Sequence, residues 1–148
     1  MSKAIQMKVL GLPQLKNDVA RYGDRALQAM AAALKKEAEL IMTDSKSNYV
    51  PVDTGNLRDS GYVAEPKIGG THATVELGYG GAAAGYALFV HENPRAGKTQ
   101  GLSPKGRPYK SWSQIGEWKF LETPFKAALS GMPQRIASYM KSHVGGKR

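Results

Sequence analysis

Pro51-Val52-Asp53-Thr54-Gly55-Asn56-Leu57-Arg58-Asp59-Ser60 divides two periodicities, one helical and one extended. Pro51 and Val52 favour extended backbone, and Pro51 ends any helix that reaches it. Asp53 or Thr54 can cap a new short helix through a side-chain oxygen, and Gly61 is placed to end that helix in a left-handed turn. Local physics thus reads these residues as a helix–kink–helix corner.

Upstream, Leu27, Met30, Ala31, Leu34, Ala38 and Ile41 follow the spacing i, i+3, i+4, i+7, i+11, i+14. That is one apolar stripe, so a helix capped by Asp24 is expected to run to about Thr43 and pack on a sheet or another helix. A shorter helix is expected around Gln14–Arg21, and a short strand through Met7 and Val9 ending at Gly11. Downstream, Gly61–Lys67 and Thr71–Tyr79 read as a β-hairpin turning on Gly69-Gly70. Ala73, Val75, Leu77 and Tyr79 share one face and His72, Thr74 and Glu76 the other, giving one buried and one wet face.

Gly80–Gly85 reads as a small-residue linker, and Tyr86–Glu92 is apolar but too short to assign by period. Asn93–Gly116 reads as a long irregular loop rich in Pro, Gly, Ser and basic residues. Trp118–Leu121 suits a strand or a helix entry. Thr123-Pro124 suits a helix start. Phe125, Ala128, Leu129, Met132, Ile136, Tyr139, Met140 and His143 trace one helical face, which Gly131 and Pro133 should kink or split. The expected fold is α+β, a small, mostly antiparallel sheet packed against two substantial helices, in a single domain over residues 1–148 with 93–116 as an extended basic loop.

The 148 residues include no cysteine, which excludes disulfides and thiolate metal sites. His72, His91 and His143 are too scattered for a ligand pair. No apolar run approaches the ~20 residues that span a bilayer. Residues 1–6 lack a signal-peptide apolar block, so export is not expected. Gly78-Tyr79-Gly80-Gly81-Ala82-Ala83 satisfies G-x-G-x-x-G/A in form, but 94–104 hold no acidic residue for a ribose. Glu92–Thr99 resembles half a P-loop with Glu in place of the first Gly. Asp53 and Asp59 suit a solvated helix better than a catalytic carboxylate pair. Neither a cofactor nor catalysis is expected.

Charge is placed unevenly. Residues 1–92 carry 10 Lys/Arg and 10 Asp/Glu, whereas 93–148 carry 11 basic residues against Glu117 and Glu122, the whole net +9. Arg95, Lys98, Lys105, Arg107 and Lys110 lie in the loop without an acid between Asn93 and Gly116, and Tyr109, Trp112 and Trp118 lie among or just after them. Such a segment can anchor a protein interface, track and stack nucleic acid, or remain solvated.

Taken in order, Met7–Leu12, Lys46–Ser60, Tyr86–Glu92 and Phe120–Phe125 resemble a tailed-bacteriophage neck or head–tail connector family, described as tail-component, tail-completion or minor capsid proteins. The loop between Glu92 and Phe120 departs from that pattern. The resemblance implies a virion structural protein without catalytic activity or cofactor, assembled in the bacterial host cytoplasm into a ring at the head–tail junction. Its implied partners are copies of itself, the portal or connector, and a tail terminator or tail-tube protein, with non-specific contact to DNA in the lumen and none to membrane. Val52, Asp53, Thr54, Gly55, Leu57 and Arg58 then become candidate interface or motif residues. Arg95, Lys98, Lys105, Arg107, Lys110 and Trp112 become candidate partner- or DNA-facing loop residues. The alternative is a small basic nucleic-acid-binding module.

Overall fold

The computed structural model describes the backbone of residues 5–10 and residues 23–52, 54–70, 72–94, 96 and 116–144. The segment Gln14–Arg21 and most of the basic loop lie outside these residues. The described chain is α+β.

Strand β1 (Ile5–Leu10) leads to helix α1 (Asp24–Asp44), whose expected stripe is buried. Ala26, Met30, Leu34, Ala38 and Ile41 are each no more than 2% exposed, and full burial of one large aliphatic contributes about 1.5–3 kcal/mol. Asp24 is not the cap; that position belongs to Gly23 (φ 67), whose carbonyl accepts from Ala26 and Leu27. Asp24 instead begins the first turn, where its charge suits the helix dipole. At its far end α1 widens into a π-helical turn, Ser45–Tyr49, closed by Val50 N–H donating to Ser45 O at 2.8 Å. Val50 is extended and Pro51 follows, ending the helix as expected.

The short helix α2 (Asn56–Asp59) follows the corner, then β2 (Gly61–Val63), β3 (Lys67–Gly69) and β4 (His72–Tyr79). β4 is central and antiparallel to all its neighbours, with β1 along 74–79, β2 along 77–79 and β3 along 72–74. β2 and β3 form one hairpin arm broken by a bulge. Residues 63 to 67 take four steps while their partners 77 to 74 take three. Pro66, lacking an amide hydrogen, falls in that gap, where it breaks no ladder bond. Gly70 turns at φ 57. Ala73, Val75, Leu77 and Tyr79 are buried while His72 is exposed and Thr74 and Glu76 are half-buried, as the alternation required.

Gly61 does not end α2 in a left-handed turn; Ser60 caps it in right-handed conformation and Gly61 opens β2. Glycine is required there for space, because a Cβ would lie 2.5 Å from Lys46 Cε, 2.7 Å from Met42 Sδ and 2.9 Å from Tyr79 Cε1. After Gly80, a 3-10 turn (Gly81–Ala83) leads into α3 (Ala84–Glu92), so the expected linker is the start of a helix. Helices α4 (Glu122–Leu129) and α5 (Met132–Val144) complete the described chain, split at Ser130-Gly131 as expected. α4 begins at Glu122 after Leu121, so Thr123 is not its cap and Pro124 lies in its first turn. The expected face continues across the split: Met132, Ile136 and Met140 are buried beside Pro124, and Phe125, Ala128 and Tyr139 pack partly buried on the core, while Leu129 and His143 are exposed.

α1 lies between the sheet and α5, so the second substantial helix packs chiefly on the first. Arg135 of α5 forks onto Glu37 of α1, its Nη2 2.6 Å and its Nε 2.9 Å from the two carboxylate oxygens. Glu37 is 5% exposed, the one buried carboxylate among the described residues.

Candidate interaction surface at the loop stem and the α3 ridge

The corner is mostly structural. Gly55 is buried at φ 90 and caps α2; a Cβ there would meet nothing closer than 3.6 Å, so backbone angle, not space, calls for glycine. Thr54 is exposed, its hydroxyl 3.5 Å from Asn56 N, a weak contact. Leu57 is 6% exposed and belongs to the core; Val52 is half-buried. Arg58 is exposed beside Asp59 at 3.4 Å. Asp53 lies outside the described residues. Of the six motif positions, Thr54 and Arg58 alone are seen open to a partner.

The corner also seats both the α1 terminus and the return of the basic loop. Ser45 Oγ donates to Phe120 O at 2.7 Å and shares a hydrogen bond with the Tyr79 hydroxyl at 2.7 Å. Burial pushes that phenol up to about 12, against the opposing effect of Ser45. Tyr79 and Phe120 meet edge-on at 5.1 Å. Glu117 N–H donates to Tyr49 O at 2.7 Å, and Gly116 (φ 125) lies so close to Pro51 that a Cβ would fall 2.5 Å from its Cα.

Lys119 then ties the outgoing chain to the returning one. It holds a left-handed φ of 58, uncommon for a residue with a side chain. Its amide donates to His91 O at 2.7 Å, and its ammonium lies 2.7 Å from Glu92 and 3.0 Å from Glu122. The bond to Glu92 and then that to Glu122 raise the Lys119 pKa. Glu92 is held below the usual carboxylate range by Lys119 first and His91 second. Glu122 is drawn down to about 2 by Lys126 and then Lys119. These groups are partly exposed, so salt screens them. His91 is 3% exposed, edge-on to Phe120 at 4.9 Å, with Nδ1 2.7 Å from Glu92; Nε2 has no partner among the described residues.

Above this stem stands α3. Its apolar composition left the period unreadable, and the structure shows why: within it Ala87 and His91, four apart, are buried, in line with Ala83 of the preceding 3-10 turn. Tyr86 (40%), Leu88 (45%) and Phe89 (72%) face outward. An open hollow of about 740 Å³ lies along Gly85, Leu88, Phe89, Glu92 and Pro94. A helix apolar all round is ordinarily buried. This one is covered on a single narrow side.

Arg95, Lys98, Lys105, Arg107, Lys110 and Trp112 lie outside the described residues, so their geometry carries no part of the site. Trp118 is half-buried, 5.7 Å from Lys119 Nζ. The G-x-G segment does run into a helix, but among the described residues all strand pairs are antiparallel and no βαβ unit is formed. The P-loop-like segment follows α3, a helix where that motif needs a strand. Among the described residues no cluster of His, Asp or Glu is grouped to hold a metal, and no helix is long and apolar enough to cross a membrane. Compared with known proteins, the chain matches no protein-family model, no curated protein and no solved structure.

Proposed function

We propose that this chain is a virion structural protein of a tailed phage, whose copies form a ring at the head–tail junction and join the head connector to the tail. The observation that carries the reading is α3. The segment Tyr86–Glu92, one of those that resemble the neck family, is a helix with Tyr86, Leu88 and Phe89 turned to solvent. Contiguous exposed apolar residues on one helix support a surface covered by another protein. The stitched stem supports the same reading, because Lys119, Gly116 and Ser45 fix where the basic loop leaves and rejoins the fold. In this reading the loop reaches a neighbouring subunit or an adjoining portal, terminator or tail-tube ring, and some of its cations face DNA in the lumen. The mature location is the virion neck.

Deleting Arg95–Ser113 tests it: the variant is expected to stay folded and to fail in joining heads to tails. Joining at the wild-type level contradicts the proposal. A second reading, a basic nucleic-acid-binding module, is favoured by the confinement of the +9 charge to residues 93–148. It requires DNA binding by the isolated monomer that falls steeply with salt.

A further inference from the structure

We propose that Lys119 is a charge-held latch, strained in its closed position, which lets go of the end of α3 when the carboxylates on either side of it lose their charge. Among the described residues it is the one non-glycine at positive φ, at 58. A side chain disfavours that conformation, and such strain persists only where the surroundings over-determine it. Three contacts do so here. The Lys119 amide donates to His91 O at 2.7 Å, and its ammonium lies between Glu92 at 2.7 Å and Glu122 at 3.0 Å. The amide bond closes the crossing between the outgoing and returning chain, and the two ion pairs hold in place the residue that makes it. Phe120 and Leu121 are fully buried and keep the start of α4 anchored, so opening is confined to that crossing.

Strain and attraction are of similar size. One residue in an unfavourable backbone region and two part-exposed ion pairs are each a small fraction of a domain's stability. The crossing is therefore poised, and removing the charges tips it open without unfolding the core. The titratable groups around Lys119 are His91 and Glu92 on α3 and Glu122 and Lys126 on α4. Lys119 first and His91 second hold Glu92 below its ordinary 4.5; Lys126 and then Lys119 draw Glu122 down to about 2. Lowered carboxylates give their full hold above the ordinary value and lose it as pH falls through the folded one. Glu92 is the stronger jaw, since its bond comes first in raising Lys119, whereas Glu122 answers first to Lys126. Salt acts in the same direction at neutral pH, because it screens exposed pairs. The device belongs to the single chain and operates whether or not copies form a ring.

Amide hydrogen exchange on the full chain reads the crossing directly, because the Lys119 N–H exchanges when its bond to His91 O opens, while amides in the middle of α1 report global unfolding. Lys119→Met keeps the strain and loses both ion pairs. Its protection at residue 119 is expected to fall about five- to thirtyfold at neutral pH, with the α1 amides unmoved. Lys119→Gly loses the pairs and the strain together, so it should stay within about threefold of wild type. In wild type the protection at residue 119 should fall ahead of α1 as pH drops from 4.5 toward 2. Glu92→Gln/Glu122→Gln should start low at neutral pH and show no such fall. Lys119→Met protected like wild type, Lys119→Gly as unprotected as Lys119→Met, or an acid loss at residue 119 that only follows α1, overturns the latch.

Discussion

Replacing Gly116 by alanine should be among the most damaging single-methyl changes in the chain. Gly116 holds φ 125, and its added Cβ would lie 2.5 Å from Pro51 Cα, 2.7 Å from Pro51 N and 3.0 Å from Val50 C. These are backbone atoms, which cannot rotate aside as a side chain can. The unfavourable φ costs about 1–3 kcal/mol and the forced overpacking about another 1–3, together roughly 2–6 kcal/mol. A domain of this size has only about 5–15 kcal/mol to lose. With an m-value of about 1.5 kcal/mol per molar urea, a loss of about 4 kcal/mol lowers the unfolding midpoint by roughly 2–3 M. Equilibrium urea unfolding followed by circular dichroism measures it. Gly81→Ala is the control, since Gly81 has φ 58 but open space around its Cβ, and should cost only about 1–2 kcal/mol. If Gly116→Ala costs no more than Gly81→Ala, the loop does not return against Pro51, and the stem described above is wrong.

Ser45→Ala should cost about 2–4 kcal/mol, because the buried Phe120 carbonyl and Tyr79 hydroxyl both lose their partner; Tyr79→Phe keeps the first bond and should cost about 1. Thermal melts giving equal losses would show that Ser45 is not the shared partner. Arg135→Met leaves the Glu37 carboxylate buried and unpaired, at about 2–3 kcal/mol after discounting for an arginine 45% exposed; adding Glu37→Gln should restore part of it in denaturant titrations. Glu122 has a folded-state pKa of about 2, below its ordinary 4.5. Its stabilisation is therefore full above 4.5 and is lost as pH falls toward 2. Stability measured across that window should fall less steeply for Glu122→Gln than for wild type.

Sequence carried the parts in which one periodicity ruled. α1 was legible because its apolar residues fall on one stripe, and the β4 arm because residues 72–79 alternate next to Gly69-Gly70. α3 was not legible, since seven consecutive residues are nearly all apolar; only contact with the fold distinguishes Ala87 and His91 from Leu88 and Phe89. The corner misled at its cap because Asp53 and Thr54 are good capping types, whereas Gly55 reaches a left-handed angle that they disfavour. Gly61 misled because its need for glycine comes from Met42, Lys46 and Tyr79, all distant in sequence. The loop stem was invisible for the same reason: Lys119, Glu92 and Glu122 give no pattern until chain reversal brings them together.

The mass of the full-length chain in solution, followed by native mass spectrometry and light scattering over rising concentration and salt, bears most directly on the ring. If copies associate as proposed, each brings +9 charges to the ring, so screening should favour assembly. The expected result is one closed oligomer of defined mass whose share grows with salt. A monomer at every concentration, binding DNA in a manner that weakens as salt rises, would contradict it.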